Sequence, residues 1–153
     1  MKTAIDHLVV GGGTLGVAAD HLETALGSAT VAGGAHARMG THNRLLSLGP
    51  ELYVEALAAD PAAPAPGHPR WFGLDAFADA GAPAPRLAAW ALRVEDIDDV
   101  IGAAPEDIGS VVSMQRGAYR WRITVRRTGR QPFDGLYPAL IAWDGPDPAA
   151  ALP

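Results

Sequence analysis

Residues 52–60 read Leu-Tyr-Val-Glu-Ala-Leu-Ala-Ala-Asp and residues 136–144 read Leu-Tyr-Pro-Ala-Leu-Ile-Ala-Trp-Asp, so the chain carries one pattern twice. Laid over one another, the stretches share Leu-Tyr at the start and Asp at the end, and Glu55 falls opposite Ala139. Upstream, residues 5–10 lie over 87–92, which sets His7 opposite Ala89. The intervals agree closely, 48 residues from His7 to Glu55 (55 − 7) and 50 from Ala89 to Ala139 (139 − 89). An internal repeat constrains a fold more than a local motif does, because each copy must form the same unit and the units must share a core.

Hydrophobic spacing fills in the unit. A β-rich run over 4–10 ends at Gly11, Gly12 and Gly13, and Thr14 can cap a helix whose apolar side is Leu15, Ala18, Ala19, Leu22 and Leu26. Strands are expected near 28–34, over 41–48 and over 52–58. In the second half the spacing predicts a strand over 87–94, an amphipathic segment over 96–104, and strands near 109–115, 118–127 and 136–143. Residues 60–86 hold Pro61, Pro64, Pro66, Pro69, Pro83 and Pro85 and read as a linker, with a short helix near 74–79 and Trp71 and Phe72 packed on the body. The expected fold is α+β: two βαβββ modules, about 3–59 and about 87–145, within one domain over 1–153, making a cupped mixed β-sheet with helices outside.

Composition removes several classes of function. With 48% hydrophobic and 19% charged residues, the chain can bury a core. A net charge of −5 lacks the basic surface that phosphate neutralisation needs, so no nucleic-acid partner is expected. The basic run from Arg116 to Arg130, with Tyr119 and Trp121 interleaved, reads instead as a strand with one wet face. The absence of cysteine excludes thiolate metal sites and Cys nucleophiles. No apolar run approaches the roughly 20 residues of a membrane span, and the N-terminus lacks a basic region followed by an apolar one. A cytoplasmic protein without a membrane partner is therefore expected.

The repeat, together with Ile5-Asp6-His7-Leu8-Val9-Val10, Met39-Gly40-Thr41-His42-Asn43 and Tyr53-Val54-Glu55, resembles the vicinal-oxygen-chelate superfamily in its glyoxalase-like branch. The resemblance implies a cavity between the modules. In metal-dependent members it implies a divalent cation, held by a first-strand His or equivalent and a fourth-strand Glu from each module, that polarises substrate oxygens. His7 and Glu55 match those positions in module one, whereas Ala89 and Ala139 can ligate nothing. One imidazole and one carboxylate make a poor zinc site. No metal or other cofactor is therefore assigned, and a metal-dependent lyase or isomerase would need a third ligand from His36 or His42.

The expected role is binding of a small organic molecule between the modules, or metal-independent chemistry on it, with His7 and Glu55 as polar anchors or a proton-transfer pair. Strand alternation puts Ile5, His7 and Val9 on one face and Tyr53, Glu55 and Leu57 on one face. His42 and Asn43 must point oppositely, and Asn43 is assigned inside. His36 follows Gly33 and Gly34 on a flexible approach to the cavity mouth. Tyr137 and Trp143 share a face with Ala139 and would line the opposite wall, where Arg93 could hold a ligand carboxylate. Trp90, on the other face, is expected to pack on the helix. A homodimer meeting through Trp71 and Phe72 fits the resemblance. Residues 11–16 also satisfy G-x-G-x-x-G between a strand and a helix, which leaves a dinucleotide-binding protein as an alternative.

Overall fold

The computed structural model describes residues 2–79, 81–104 and 107–153, so Ala80 of the linker lies outside the described residues. Module one runs β1 (Thr3–Gly11), α1 (Leu15–Leu26), β2 (Val31–His36), β3 (Thr41–Gly49) and β4 (Leu52–Ala59). Module two runs β5 (Arg86–Val94), α2 (Ile97–Ile101), β6 (Ser110–Arg116), β7 (Tyr119–Val125) and β8 (Ala139–Trp143). The strands form one eight-stranded curled sheet in the order β2-β3-β4-β1-β5-β8-β7-β6. Only the β1–β4 and β5–β8 pairs are parallel; the other neighbours are antiparallel. No helix among the described residues is long and apolar enough to cross a membrane.

The modules join through β1 and β5 at the centre of the sheet. His7 lies opposite Ala91, Leu8 opposite Trp90 and Val9 opposite Ala89, so the pairing is symmetric about Leu8 and Trp90. Within the modules, Val9 pairs with Glu55 and Ala91 with Ala139. Those registers set Ala89 and Ala139 in module two where His7 and Glu55 stand in module one.

The helices cover the convex side. Ala18, Ala19 and Leu22 of α1 pack on Val10, Val54 and Ala56, and Ile97 and Val100 of α2 pack with Val94 and Leu140. Thr14 caps α1 by accepting from the Val17 N–H at 3.2 Å, and Gly27 at φ 66° ends it. The linker folds into the cup. Trp71, Phe72, Leu74 and Phe77, on a short 3-10 segment (Trp71–Phe77), close over Val9, Leu57 and Ile141. Burying each large aromatic contributes roughly 1.5–3 kcal/mol. Because Trp71 and Phe72 are buried in their own chain's core, they are not a surface on which a second copy could dock.

Several boundaries differ from the sequence reading, each for a local reason. β2 starts at Val31 because Glu23 holds Thr30, accepting from its N–H at 2.8 Å and its hydroxyl at 2.5 Å. α2 is only five residues long and stops at Gly102. β8 begins at Ala139 because the preceding turn sets Phe133 and Asp134 at positive φ, and Pro138 cannot donate to a ladder. Trp90 packs in neither helical cluster; it is half-buried, and its indole N–H donates to the Leu136 carbonyl at 2.9 Å.

Candidate functional site

A β-bulge prepares the cavity wall of module one. Ile5 pairs with Leu92 and His7 with Ala91, leaving Asp6 as the extra residue on β1. Alternation would send Asp6 to the opposite side from His7, but the bulge brings both side chains inward. Asp6 is fully buried, and its carboxylate accepts from His7 Nδ1 at 2.6 Å, Arg93 Nε at 2.6 Å and Trp143 Nε1 at 2.9 Å. Tyr53 stacks on the His7 ring at 4.9 Å and 18°. With Nδ1 and one face fixed, the remaining ring nitrogen, Nε2, points at Glu55 Oε1, 3.6 Å away.

A second bulge on β2 extends the network. Residues 33 and 34 together face Asn43, between the Ala32–Arg44 and Ala35–His42 pairs. At position 33 only glycine fits, since a Cβ would stand 2.0 Å from Asn43 Oδ1 and 2.8 Å from the Asn43 carbonyl oxygen; a Cβ on Gly34 would stand 2.8 Å from Arg116 Cδ and displace that side chain. Asn43 donates to Glu55 Oε2 at 2.6 Å, while its Oδ1 accepts from the Gly34 N–H at 2.9 Å and from Arg116 Nη1 at 3.0 Å. Arg116 Nη1 also donates to His36 Nε2 at 3.1 Å. A guanidinium only donates, so His36 must be neutral with its proton on Nδ1, directed at Thr41 Oγ1 at 3.1 Å.

The electrostatics follow from these contacts. Burial, reinforced by the Arg116 charge, lowers His36 to about 3, consistent with its neutral tautomer. For His7 burial works downward, but the hydrogen bond to Asp6 and the charges of Glu55 and Asp6 together hold its pKa above the ordinary value. Burial would raise Asp6, yet His7, Trp143 and Arg93 keep it below the usual carboxylate value. Burial beside Asp6 and Glu55 pushes the Tyr53 hydroxyl well above 10, so it stays protonated. An Asp-oriented imidazole with a raised pKa, facing a carboxylate across 3.6 Å, is a group that can give and take a proton.

The cavity is lined by His7, His36, Asn43, Tyr53, Glu55, Trp71, Phe72 and Arg116, and across from them by Trp121, Ile123, Ile141 and Trp143. It encloses about 20 Å3, space for one water molecule. Thus His7, Glu55, Asn43, His36 and Trp143 come together. His36 does so from the end of a strand, buried in the wall, and not from a flexible approach to the mouth. Three other candidates lie elsewhere. His42 is on the convex side of β3, its Nδ1 3.9 Å from Asp60. Tyr137 precedes β8 and packs in the α2 cluster. Arg93 is occupied by Asp6 and by Asp147, the latter at 2.9 Å. The sequence reading passed over Asp6, whose signal is its adjacency to His7, and Arg116, which was absorbed into the basic run.

The donor set does not fit a metal centre. His7 Nε2 and Glu55 Oε1 converge, but His36 Nε2 is taken by Arg116, His42 is on the wrong face, and module two presents alanines. No group of three His, Asp or Glu residues suited to a metal occurs among the described residues. The dinucleotide alternative is overturned by the sheet order, which is not doubly wound. The glycines after β1 serve packing: a Cβ on Gly11 would meet the Phe77 ring at 2.8 Å, and one on Gly12 the Ala18 Cβ at 2.9 Å.

Two βαβββ modules curled around one cavity, polar on one wall and apolar on the other, define the vicinal-oxygen-chelate architecture. The chain belongs to the glyoxalase-like domain family, whose model matches residues 5–153. Among solved structures it is similar to a hypothetical protein from Staphylococcus aureus, with TM-score 0.61 and 20% identity over 96% of this chain; that match spans 61% of the Staphylococcus protein's length. It is also similar to methylmalonyl-CoA epimerase from Mycobacterium tuberculosis, with TM-score 0.54 and 19% identity over 96% of this chain and 91% of that one. A Streptomyces coelicolor methylmalonyl-CoA epimerase variant in complex with 2-nitronate-propionyl-CoA matches with TM-score 0.57 and 14% identity over 92% and 97% of the two chains. No curated protein matches the chain.

Proposed function

We propose that this chain binds a small organic molecule in the cavity between its modules and holds it against His7 and Glu55 without a complete metal centre. The network of Asp6, His7, Asn43 and Glu55, each no more than 5% exposed, carries this reading. Packing such groups inside costs more than an apolar core of equal volume would, so their presence in a cavity wall calls for a chemical role. The apolar wall and the aromatic rings are lining of the kind small ligands use, and because the space they enclose in this conformation is that of one water, binding requires the lining side chains to move apart. Glu55 is placed to accept a proton and His7 Nε2–H to donate one. A structural neighbour complexed with a CoA derivative supports a small organic ligand for this fold.

A ligand-observed NMR screen of small organic fragments tests the proposal on the native chain beside Glu55→Ala. Fragments that bind the native chain should bind the variant at least about tenfold more weakly, a loss of about 1.4 kcal/mol, while the variant stays folded. A large stability loss with unchanged fragment affinity would make Glu55 a purely architectural residue and sink the reading.

A further inference from the structure

Among the described residues, Arg116 is the one cation of the cavity that has no anion. Its Nη1 donates to His36 Nε2 and Asn43 Oδ1, both neutral, and no carboxylate among the described residues comes within ion-pair distance of it. The neighbouring carboxylates are engaged elsewhere: Asp6 by His7, Arg93 and Trp143, and Glu55 by Asn43, with His7 facing its other oxygen. His36 is kept neutral, so it accepts from the guanidinium instead of repelling it. Neutral acceptors on Nη1 fix the group's orientation without quenching its charge.

A second unpartnered donor lines the same space. Trp71 is 4% exposed, and its indole N–H, which can only donate, has no acceptor among the described residues. A buried donor without a partner costs about 1–3 kcal/mol, so an acceptor-rich guest is favoured there. Among the described residues, Arg116 alone is shared by the inner cavity and an outer hollow of about 350 Å3 between β2, the β6–β7 turn and the C-terminal residues. Its side chain therefore borders both the outer hollow and the buried network, held in place by its two hydrogen bonds.

We infer that Arg116 and Trp71 form the recognition point for an organic carboxylate, which takes Arg116 from its His36 and Asn43 contacts, spreads a lining that now encloses room for one water, and is held by the guanidinium with its apolar part against Trp121, Ile141 and Trp143. This assignment rests on the cavity being the ligand site. It places the arginine contact at the end of β6, whereas Arg93 is committed to Asp6 and Asp147. Because the guanidinium supplies the positive charge, the carboxylate is bound without a metal ion.

Acetate and benzoate, each beside its neutral counterpart acetamide or benzamide, test the inference by saturation-transfer NMR titration at fixed ionic strength. The native chain should bind the carboxylates at least about tenfold more tightly than the amides, as charge-assisted hydrogen bonds exceed neutral ones. Arg116→Met should abolish that preference. Arg116→Lys, which keeps the charge but loses the fork, should retain only part of it. Trp71→Phe, which removes the orphan donor together with part of the ring, should weaken carboxylates about threefold and amides less, since lost ring contact alone would weaken both alike. Amides binding as well as carboxylates, with Glu55→Ala still weakening both, would overturn the anion assignment and leave the cavity as a ligand site. If none of the four probes bound the native chain at tens of millimolar (roughly the weak limit of fragment binding), both readings would fall. Thermal melts of each variant separate lost binding from lost fold.

Discussion

The two walls of the cavity follow one βαβββ plan and carry opposite chemistry. Module one faces inward with Asp6, His7, Asn43 and Glu55, while module two at the matching register has Ala89 and Ala139, flanked by Ile123 and Ile141. The difference shows how one module can hold ionisable groups. Small side chains opposite leave room for polar groups to be oriented, and an apolar wall lowers the local dielectric, so each contact is stronger than it would be in water. The polar wall rests on two backbone irregularities, at Asp6 and at Gly33 and Gly34; the first is repeated in module two, where Ala88 is the extra residue on β5, so the side chain at the bulge and not the bulge itself separates the two walls.

The contrast breaks most severely at Asp6. Asp6→Leu leaves His7, Arg93 and Trp143 without their shared acceptor, and the expected loss is about 3–5 kcal/mol of unfolding free energy in urea titrations. A loss below about 1 kcal/mol would mean that the network contributes little to folding. The reverse experiment makes module two resemble module one. Ala89→His with Ala139→Glu places a second His/Glu pair at the matching register. That double variant should retain about one zinc or nickel ion per chain after desalting, as a four-ligand set does. The native chain should retain far less. Overpacking should lower its stability by about 1–3 kcal/mol. Equal retention by the native chain would reveal a third native ligand.

Proton linkage gives a smaller, graded effect. His36 stays neutral in the folded chain down to about pH 3, whereas the unfolded chain protonates below the ordinary 6.5. Stability should therefore fall as pH drops through that window, by at most ~1.4 kcal/mol per pH unit. His7 has the opposite sign. Its raised pKa contributes stability that is complete below 6.5 and disappears as pH rises through its folded value. Asp6, lowered, adds a further loss only below 3.8. Unfolding curves at successive pH values should show a maximum near 6.5, and His36→Gln should flatten the acid limb between 6.5 and about 4. An unchanged limb would mean that His36 takes up protons while folded.

Much of this was legible in the sequence because strand chemistry is periodic. The repeat anticipates the order of elements, and parity puts Asn43 inside and His42 outside, where the structure has them. What escaped was whatever breaks the period. Asp6 is hidden by alternation until a bulge is known. Tyr137 shares the parity of Ala139, but β8 begins only after Pro138, so parity does not reach it. Arg116 carries no local mark of its partners, His36 and Asn43, which come from strands about 80 and 73 residues away in sequence. Trp71 and Phe72 were legible as packed on the body, but a proline-rich linker does not show that they enter the cup itself, and so they also served as a candidate dimer contact.

The seam between the modules has a mechanical consequence. β1 and β5 are first strands of their own modules and central neighbours in the joint sheet, tied along nearly their whole length. Prying the halves apart would tear an antiparallel ladder as long as any in the sheet and at its centre, which opposes a clamshell opening. Compliance is left to the rim, where the terminal strands β2 and β6 approach each other without forming a ladder. That gap is flanked by Arg116 on β6 and by Gly33 and Gly34 on β2, where the missing Cβ lets the strand run close to the arginine stem.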